Sequence, residues 1–437
     1  MASDPEDAAD RSVHYDIMRG FPRAQPSIPL PPPLESLNSS PWALPTENNR
    51  IANFDPDVIA SDALDTKVIL HPRLPTLLDD FLNYKRAHGT AVEQELYAGM
   101  SQSDLIARLI KQRCLHFVGS HDYTVLRDGT SGVARNEWLR VGTADEHLNN
   151  HIFLTDYLSY DEMMLASLLG SSGPTYFIND GKRDNRAQLD PSTPHQERGI
   201  IVGLVGARLQ QPGHMDGALI LPPNPLSPTY PRRQDPGVSS LLQNFLLGRQ
   251  QDGSQFDVQM YKARVSISIE TLVLEANDRA AREGTTAYVQ LVGLGLGVWR
   301  FGPLAEEQKV WYVEAVTESL KRLDLKHVST LEVAWVNVPA DVQSSCIGVG
   351  RDVGVDVKFN KRPRSAKLAT NELLVVSWAW DANTLPGNEY WSGLLDDSDD
   401  PAAVCCSTAA ELHNPYVNPF ERRTKVLVDR PRVATAV

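Results

Sequence analysis

Cysteine, long apolar runs and positive charge are all scarce in this sequence. The 437 residues include four cysteines, and none has zinc-ligand spacing: Cys114, Cys346, Cys405 and Cys406. A disulfide scaffold is therefore not expected, and so few thiols suit a reducing compartment. No run of about 18 apolar residues occurs, and the opening MASDPEDAAD lacks the basic and apolar regions of a signal peptide. We therefore predict a cytoplasmic protein with no membrane partner.

The charge balance limits the kinds of partner. Lysine and arginine total 42 against 55 aspartates and glutamates, which gives a net charge of -13. Nucleic acid is not expected as a partner, because binding along a polyanion depends on clustered Lys and Arg. A small anionic ligand is compatible with this charge, since one loop of backbone N–H groups can hold a diphosphate.

The composition of the chain and the spacing of its apolar residues change near residue 65. Residues 1–65 are rich in Pro, Ser, Asp and Asn, as in PSIPLPPPLESLNSSP, and lack an apolar period, which predicts a flexible tail. Its proline run suits a linker or a polyproline II ligand. In residues 66–172, helical spacing of apolar residues predicts a helical extension with Ser101 or Ser103 as a cap. The predicted helices lie in HPRLPTLLDDFLNYKRA, SQSDLIARLIKQRCLHFVG and YLSYDEMMLASLLGSSG.

Residues 173–430 follow the pattern of an α/β domain. Short apolar runs closed by Gly, Asn or Asp predict strands in PTYFINDG, RGIIVGLVGARL, ALILPP, RVSISIETLVLEA, AYVQLVGLGLGVW, STLEVAWVNV and LLVVSWAWD. The segment EEQKVWYVEAVTESLKRL has helical length, with Glu early and Lys and Arg late. We therefore expect a sheet with crossover helices, and an insertion or long surface loop from Pro225 to Gly253.

Three glycines follow one predicted strand and precede the helix. Gly293, Gly295 and Gly297 would let backbone N–H groups approach a phosphate, although the spacing is G-x-G-x-G and a structural turn is the alternative. A second candidate is FINDGKRDN, where Asn179 and Asp180 would serve either as turn residues or as contacts to a ribose or adenine.

Acidic and amide side chains crowd the end of LLVVSWAWD. Asp381 and Asn383 follow the strand, and ligands of α/β sheets bind beyond the carboxyl ends of strands. Glu389 lies beside two aromatic residues, a setting in which a carboxylate becomes partly desolvated. DDSDD then precedes a predicted helix, where Asp399 and Asp400 would be either helix caps, solvated charges or site residues.

These segments resemble a known family. VVSWAWDANTLPGNEYW followed by DDPAAVCCSTAAEL is similar to the first ligand-binding unit of a macrodomain, with a strand, an Asn-bearing turn, a glycine-containing loop and a helix. YVQLVGLGLGVW is similar to the macrodomain diphosphate loop. The order of the two is reversed, which a circular permutation accommodates. Over roughly residues 173–420, the chain resembles the atypical macrodomain ADP-ribosylhydrolases of the MavL-like type, although the usual Gly-Gly-Gly is missing.

The resemblance implies a macrodomain-like mixed sheet flanked by helices. It also implies a hydrolase that removes ADP-ribose from arginine of a modified protein, with ubiquitin as one candidate, and it implies no cofactor or metal. The implied catalytic residues are Asp381, Glu389, Asp399 and Asp400. The implied ADP-ribose-binding residues are Asn179, Asp180, Gly293, Gly295, Gly297, Val298, Trp299, Asn383 and Asn388.

The implied mechanism is carboxylate-assisted hydrolysis of an N-glycosidic bond. Glu389 with Asp400, or with Asp399 in its place, would orient the distal ribose and activate a water. Asp381 and Asn383 would position ribose hydroxyls or the guanidinium.

Three alternatives remain open at this point. A reader module would bind ADP-ribose without turnover. A nicotinamide oxidoreductase would need the G-x-G-x-x-G spacing and an acid at the end of the next strand, where Glu332 instead lies within STLEVAWVN. A magnesium site in DDSDD is the third alternative.

Overall fold

The main feature of the computed structural model is a mixed eight-stranded sheet. The structure describes residues 37–119, 121–132, 135–211, 213–222, 235–250 and 255–432. The strands are β1 Lys67–Leu70, β2 His116–Val118, β3 Tyr123–Val125, β4 Leu169–Tyr176, β5 Arg198–Leu204, β6 Ala287–Val292, β7 Val328–Ala334, β8 Asp356–Asn360, β9 Leu373–Ala379 and β10 Thr424–Val426. The order across the sheet is β10-β1-β4-β5-β9-β6-β7-β8, and β2 pairs with β3 separately.

The five strands from β5 to β8 in this order all run parallel, whereas β4 is antiparallel to both β1 and β5. In the centre, β6 and β9 are neighbours, with Tyr288 opposite Leu374 and Gln290 opposite Val376. Their carboxyl ends therefore meet at one edge of the sheet, where ligands of α/β proteins bind. The predicted α/β class, with a mixed sheet flanked by helices, is confirmed.

Helices cover both faces of the sheet and contribute to one large apolar core. The helices are α1 Pro56–Asp65, α2 Leu74–His88, α3 Ala91–Tyr97, α4 Gln102–Lys111, α5 Arg135–Trp138, α6 Tyr160–Ala166, α7 Met215–Ile220, α8 Pro236–Leu247, α9 Val258–Glu283, α10 Ala305–Arg322, α11 Ala340–Val353, α12 Asp399–Cys405 and α13 Ala409–Leu412. Ser101 caps α4, as predicted, by accepting a hydrogen bond from the backbone N–H of Asp104. No helix among the described segments is long and apolar enough to cross a membrane.

Two predicted strands are helical in the structure. RVSISIETLVLEA belongs to α9, and the start of ALILPP belongs to α7. Helix α9 packs against β6, α8 and α10, so nearly its whole circumference is buried and its apolar residues show no clear helical period. A further correction concerns YLSYDEMMLASLLGSSG, in which α6 ends at Ala166 and β4 begins at Leu169. Of the predicted insertion, residues 225–234 and 251–253 lie outside the described residues, and part of the rest forms α8.

The structure also moves the predicted segment boundaries. The predicted tail lies outside the described residues for positions 1–36, but residues 37–65 pack against the rest of the chain. Ile51 and Ile59 are fully buried there, in a small cluster with Leu412 and Val417. The predicted helical extension likewise contributes β1 and the start of β4 to the main sheet. The described strands between Lys67 and Val426, apart from β2 and β3, therefore belong to one sheet, which crosses the predicted boundary at residue 172.

Candidate active site

The loops that follow β9 and β6 form the walls of one cleft, because these parallel strands are neighbours. The cleft has a volume of about 250 Å³, and we call it the acidic cleft. Its lining residues are Val118, Arg183, Gly293, Gly295, Gly297, Val298, Trp299, Ala379, Trp380, Asp381, Asn388, Glu389, Ser398, Asp399 and Asp400. The four predicted acids and the predicted glycine loop are thus brought together at the edge that the strand ends define.

Glu389 and Asp400 are a buried carboxyl pair in this cleft. Burial raises the pKa of Glu389 to about 7, and its Oε2 accepts a hydrogen bond from Ser398 Oγ at 3.1 Å. Burial, reinforced by the nearby Glu389, raises the pKa of Asp400 well above its ordinary value. Asp400 Oδ1 accepts a hydrogen bond from the Gly387 N–H at 2.9 Å, whereas its Oδ2 has no partner among the described residues. Burial, and for Asp400 also the neighbouring charge of Glu389, therefore favours the protonated form of each carboxyl group.

Asp399 has a different environment from its neighbour. It forms a salt bridge with the buried Arg364, and its Oδ2 accepts a hydrogen bond from the Ala379 N–H at 2.8 Å. The cation and the N–H each bind one of its two carboxylate oxygens. Asp399 thus fastens the start of α12 to the end of β9, and both of its oxygens are engaged.

Asp381 lies at the base of the cleft among buried cations. Burial raises its pKa to about 6, and the charges of Arg208 and Arg113 act in the opposite direction. The Arg113 guanidinium donates to the Asp381 carbonyl oxygen at 3.0 Å and stacks on the Trp380 ring at 4.1 Å. These cations reduce the cost of an ionised Asp381 in the interior.

The glycine loop is held close to the segment that follows β5. A Cβ on Gly206 would lie 2.2 Å from the Gly295 nitrogen, so only glycine permits this approach. Gly295 itself has a φ of 77°, in the left-handed region. None of the described residues accepts a hydrogen bond from the backbone N–H groups of Gly297, Val298 or Trp299. These three consecutive donors suit an anion such as a phosphate.

Three of the predicted binding residues do not line this cleft. Asn383 is fully buried behind it, where its backbone N–H donates to Asp381 Oδ1 at 2.9 Å. Asn179 holds its own loop together, because its side chain donates to the Gln188 carbonyl at 3.0 Å. Asp180 pairs with Lys182 at 2.8 Å. The side chains of Asn179 and Asp180 are thus engaged within their own loop, whereas the side-chain amide of Asn383 is buried without a partner among the described residues. Spacing along the sequence reveals neither arrangement.

Asn388 lines the cleft, but its side chain is also engaged. Its amide oxygen accepts a hydrogen bond from the Phe117 N–H at 3.0 Å, and its amide nitrogen donates to the Phe117 carbonyl at 3.2 Å. Asn388 has a φ of 36°, a left-handed conformation that asparagine tolerates better than most residues. It therefore anchors the short 3₁₀ segment Asn388–Ser392 to β2, which places Glu389.

A second and larger cleft adjoins the first. It has a volume of about 780 Å³, and we call it the basic cleft because five cationic side chains line it: Lys182, Arg183, Lys309, Lys361 and Arg364. Trp335 also lines it, with a φ of 62° and 60% of its surface exposed. A bulky residue in that backbone conformation is uncommon, and the exposed ring presents a flat apolar face. The two clefts share Arg183, Gly293, Gly297, Ala379 and Asp399.

Sequence reasoning missed the cations around the acids. Arg208 bonds Asp122 Oδ1 at 2.6 Å, lies 5.7 Å from the centre of the Trp299 ring and contributes to the field at Asp381. Arg364 comes from the connection between β8 and β9. The available signal was only that Arg208 lies at the end of a predicted strand, because Arg364 follows β8, which the sequence patterns did not predict. That signal does not say whether the side chain turns toward the cleft.

Comparison with known proteins agrees with this combination of fold and site. The family described as ADP-ribosylhydrolase MavL-like matches residues 35–222 and 237–428. The chain is 31% identical over 395 residues to ADP-ribosylarginine hydrolase CG3568 of Drosophila melanogaster, which covers 80% of this chain and 75% of the relative. It is 32% identical over 414 residues to ADP-ribosylarginine hydrolase CG2909 of the same organism, covering 85% and 79%.

The class of protein is therefore an ADP-ribosylhydrolase, as the resemblance implied. The chain belongs to the MavL-like ADP-ribosylhydrolase family.

Proposed function

We propose that this protein hydrolyses the N-glycosidic bond between ADP-ribose and an arginine side chain of a modified protein. The observation that carries the proposal is the Glu389 and Asp400 pair, which lies in one cleft with a loop of unused backbone N–H donors. Two relatives that are named ADP-ribosylarginine hydrolases support arginine as the attachment site. The acidic lining also suits a leaving group whose free form is a cation.

The two clefts suit the two ends of ADP-ribose. In this proposal the diphosphate lies on the N–H groups of Gly297, Val298 and Trp299, where the clefts meet. The adenosine end occupies the basic cleft and stacks on the exposed ring of Trp335. The distal ribose enters the acidic cleft, which brings its C1 atom toward Glu389 and Asp400.

The chemistry uses the two carboxyl groups in different protonation states. Ionised Glu389 accepts a proton from a water whose oxygen forms the new bond to C1 of the distal ribose. The bond between C1 and the guanidino nitrogen breaks through an oxocarbenium-like state, and Asp400 gives its proton to the departing nitrogen. The products are ADP-ribose with a C1 hydroxyl and unmodified arginine. A proton transfer from Glu389 to Asp400 restores the starting state.

Asp381 and Asp399 have supporting roles in this proposal. Asp381, held by its backbone contacts and by nearby Arg208 and Arg113, is placed to accept hydrogen bonds from ribose hydroxyls or from the guanidinium. Asp399 is engaged by Arg364 and by the Ala379 N–H. We therefore assign the acid role to Asp400 rather than to Asp399. Ubiquitin as the carrier of the modified arginine and the permuted macrodomain relationship stay predictions from the resemblance.

The test is release of ADP-ribose from peptides modified at arginine, with peptides modified at serine or glutamate as comparisons. We expect release from arginine alone, and a loss of about 100-fold or more in Asp400→Asn. Asp397→Asn is a matched control, because this exposed aspartate lies three residues away and does not line the cleft. Equal rates in wild type and Asp400→Asn, or equal release from serine, would contradict the proposal.

A further inference from the structure

The loop between β4 and β5 is fastened to both sides of the joined clefts. On one side, the Ser365 N–H donates to the Asp180 carbonyl at 2.9 Å, and Ser365 Oγ donates to the Asn179 carbonyl at 2.6 Å. On the other side, Asn185 Nδ2 donates to the carbonyl of Ala402 in α12 at 3.0 Å. The polar residues of FINDGKRDN thus form a fixed platform above the cleft.

Three cations project from this platform, and two of them have acidic partners. Lys182 pairs with Asp180 at 2.8 Å, and Arg186 forms a salt bridge with Asp396. Arg183 makes no hydrogen bond or ion pair with any of the described residues, although it lies within electrostatic reach of Asp396. Its exposed side chain lines both the acidic and the basic cleft. An arginine held over a cleft without a partner is available to an incoming anion.

The place of Arg183 matches one part of the ligand. Besides Arg183, the residues that line both clefts include Gly293 and Gly297 of the glycine loop. A ligand whose ends occupy the two clefts must cross this junction, and in ADP-ribose the crossing group is the diphosphate. We propose that Arg183 clamps the diphosphate against the glycine loop and thereby selects ligands that carry it. This inference rests on the proposed function and adds a residue to its binding site.

The negative charge of the protein gives a reason why the backbone N–H groups of the glycine loop need an added cation to bind a diphosphate. The diphosphate is a dianion, and it must bind a protein of net charge -13 next to four cleft carboxyl groups. A guanidinium offers two parallel N–H donors to phosphate oxygens and offsets this repulsion. Because Arg183 is not already paired, binding breaks no existing ion pair.

The test is calorimetric titration of the full chain with ADP-ribose and with adenosine, in wild type, Arg183→Gln, Arg183→Lys and Arg186→Gln. We expect Arg183→Gln to bind ADP-ribose about 10- to 100-fold more weakly, the range for a hydrogen bond to a charged group, and to bind adenosine unchanged. Arg183→Lys should recover part of the loss. Arg186→Gln is the matched control, because it removes a neighbouring cation that is already paired with Asp396 and that lines neither cleft.

The outcomes separate this inference from the proposed function. If wild type binds ADP-ribose and Arg183→Gln binds it equally well, the clamp is wrong and the proposed function stands. If Arg183→Gln weakens adenosine as much as ADP-ribose, Arg183 does not act through the diphosphate, and the inference is again wrong. If folded wild type binds no ADP-ribose, the proposed function and the clamp are both wrong.

Discussion

Replacement of Glu389 by glutamine should abolish activity and at the same time stabilise the fold near neutral pH. Glutamine keeps the shape of the side chain and an acceptor for the Ser398 hydroxyl, but it carries no charge and accepts no proton. In the proposed mechanism this removes the general base, a contribution of about 100- to 10,000-fold. Binding of ADP-ribose should change little, since the glycine loop and Trp335 are intact.

The stability gain follows from the pKa of Glu389. Raising that pKa from 4.5 to about 7 in the folded state means that ionisation costs about 3 kcal/mol more there than in the unfolded chain. Wild type therefore keeps its full stability below pH 4.5 and loses this amount as the pH rises through 7. The loss is absent in Glu389→Gln. Coupling to Asp400 divides the effect between two groups, so we expect a gain of about 1–3 kcal/mol at pH 8 and almost none at pH 4.5.

The assay is urea unfolding at pH 4.5 and pH 8, paired with ADP-ribose release at pH 8. Asp397→Asn is the control, because its carboxyl group is exposed and its removal should leave both measurements unchanged. A Glu389→Gln variant that retains more than about a tenth of wild-type activity would refute the general-base role. A variant with no pH-dependent gain in stability would refute the argument from burial.

Three further predictions concern the support of the site. In Gly206→Ala the new Cβ would collide with Gly295, so titration should show weaker ADP-ribose binding by a folded protein, and unchanged binding would contradict this packing. Trp335→Ala should weaken AMP binding by about tenfold without changing the melting temperature, and equal AMP affinity would exclude stacking. Thr46→Val removes buried hydrogen bonds to Asn49 Oδ1 at 2.6 Å and to the Tyr390 hydroxyl at 2.8 Å, so urea unfolding should show a loss of about 2 kcal/mol, whereas Thr46→Ser should retain both bonds.

The position of the site was predictable because it depends on two local patterns and one rule of topology. The apolar segments that end at Asp381 and at Gly293 both have the sequence pattern of buried strands. Parallel strands place their carboxyl ends at one edge of the sheet. The sequence does not state that β6 and β9 are neighbours, and the family resemblance supplied only the expectation that the two loops bind one ligand. The acidic residues and the glycine loop therefore lie in one cleft at the carboxyl ends of the strands, as expected.

The cations and the side-chain directions were not predictable in the same way. Arg183 and Arg208 lie in different loops, and the direction of Arg208 is set by a contact distant in sequence, its bond to Asp122. Asn383 lies only two residues from Asp381, yet its turn buries it behind the cleft. Sequence spacing indicates a shared direction only within regular strands and helices, and these residues lie in irregular backbone.

Asp399 and Asp400 show most clearly what tertiary structure adds to the sequence. Both are in the first turn of α12, where the helix dipole favours a carboxylate by about 0.3–1 kcal/mol, so the local sequence does not distinguish the two residues. Successive helical residues point about 100° apart. One of these carboxyl groups therefore turns to Arg364 and the other to Glu389. The raised pKa of Asp400 shows that burial and a like-charged neighbour outweigh the dipole there. In the proposed mechanism Asp400 is the catalytic acid, a role that its position in the first turn of a helix does not by itself indicate.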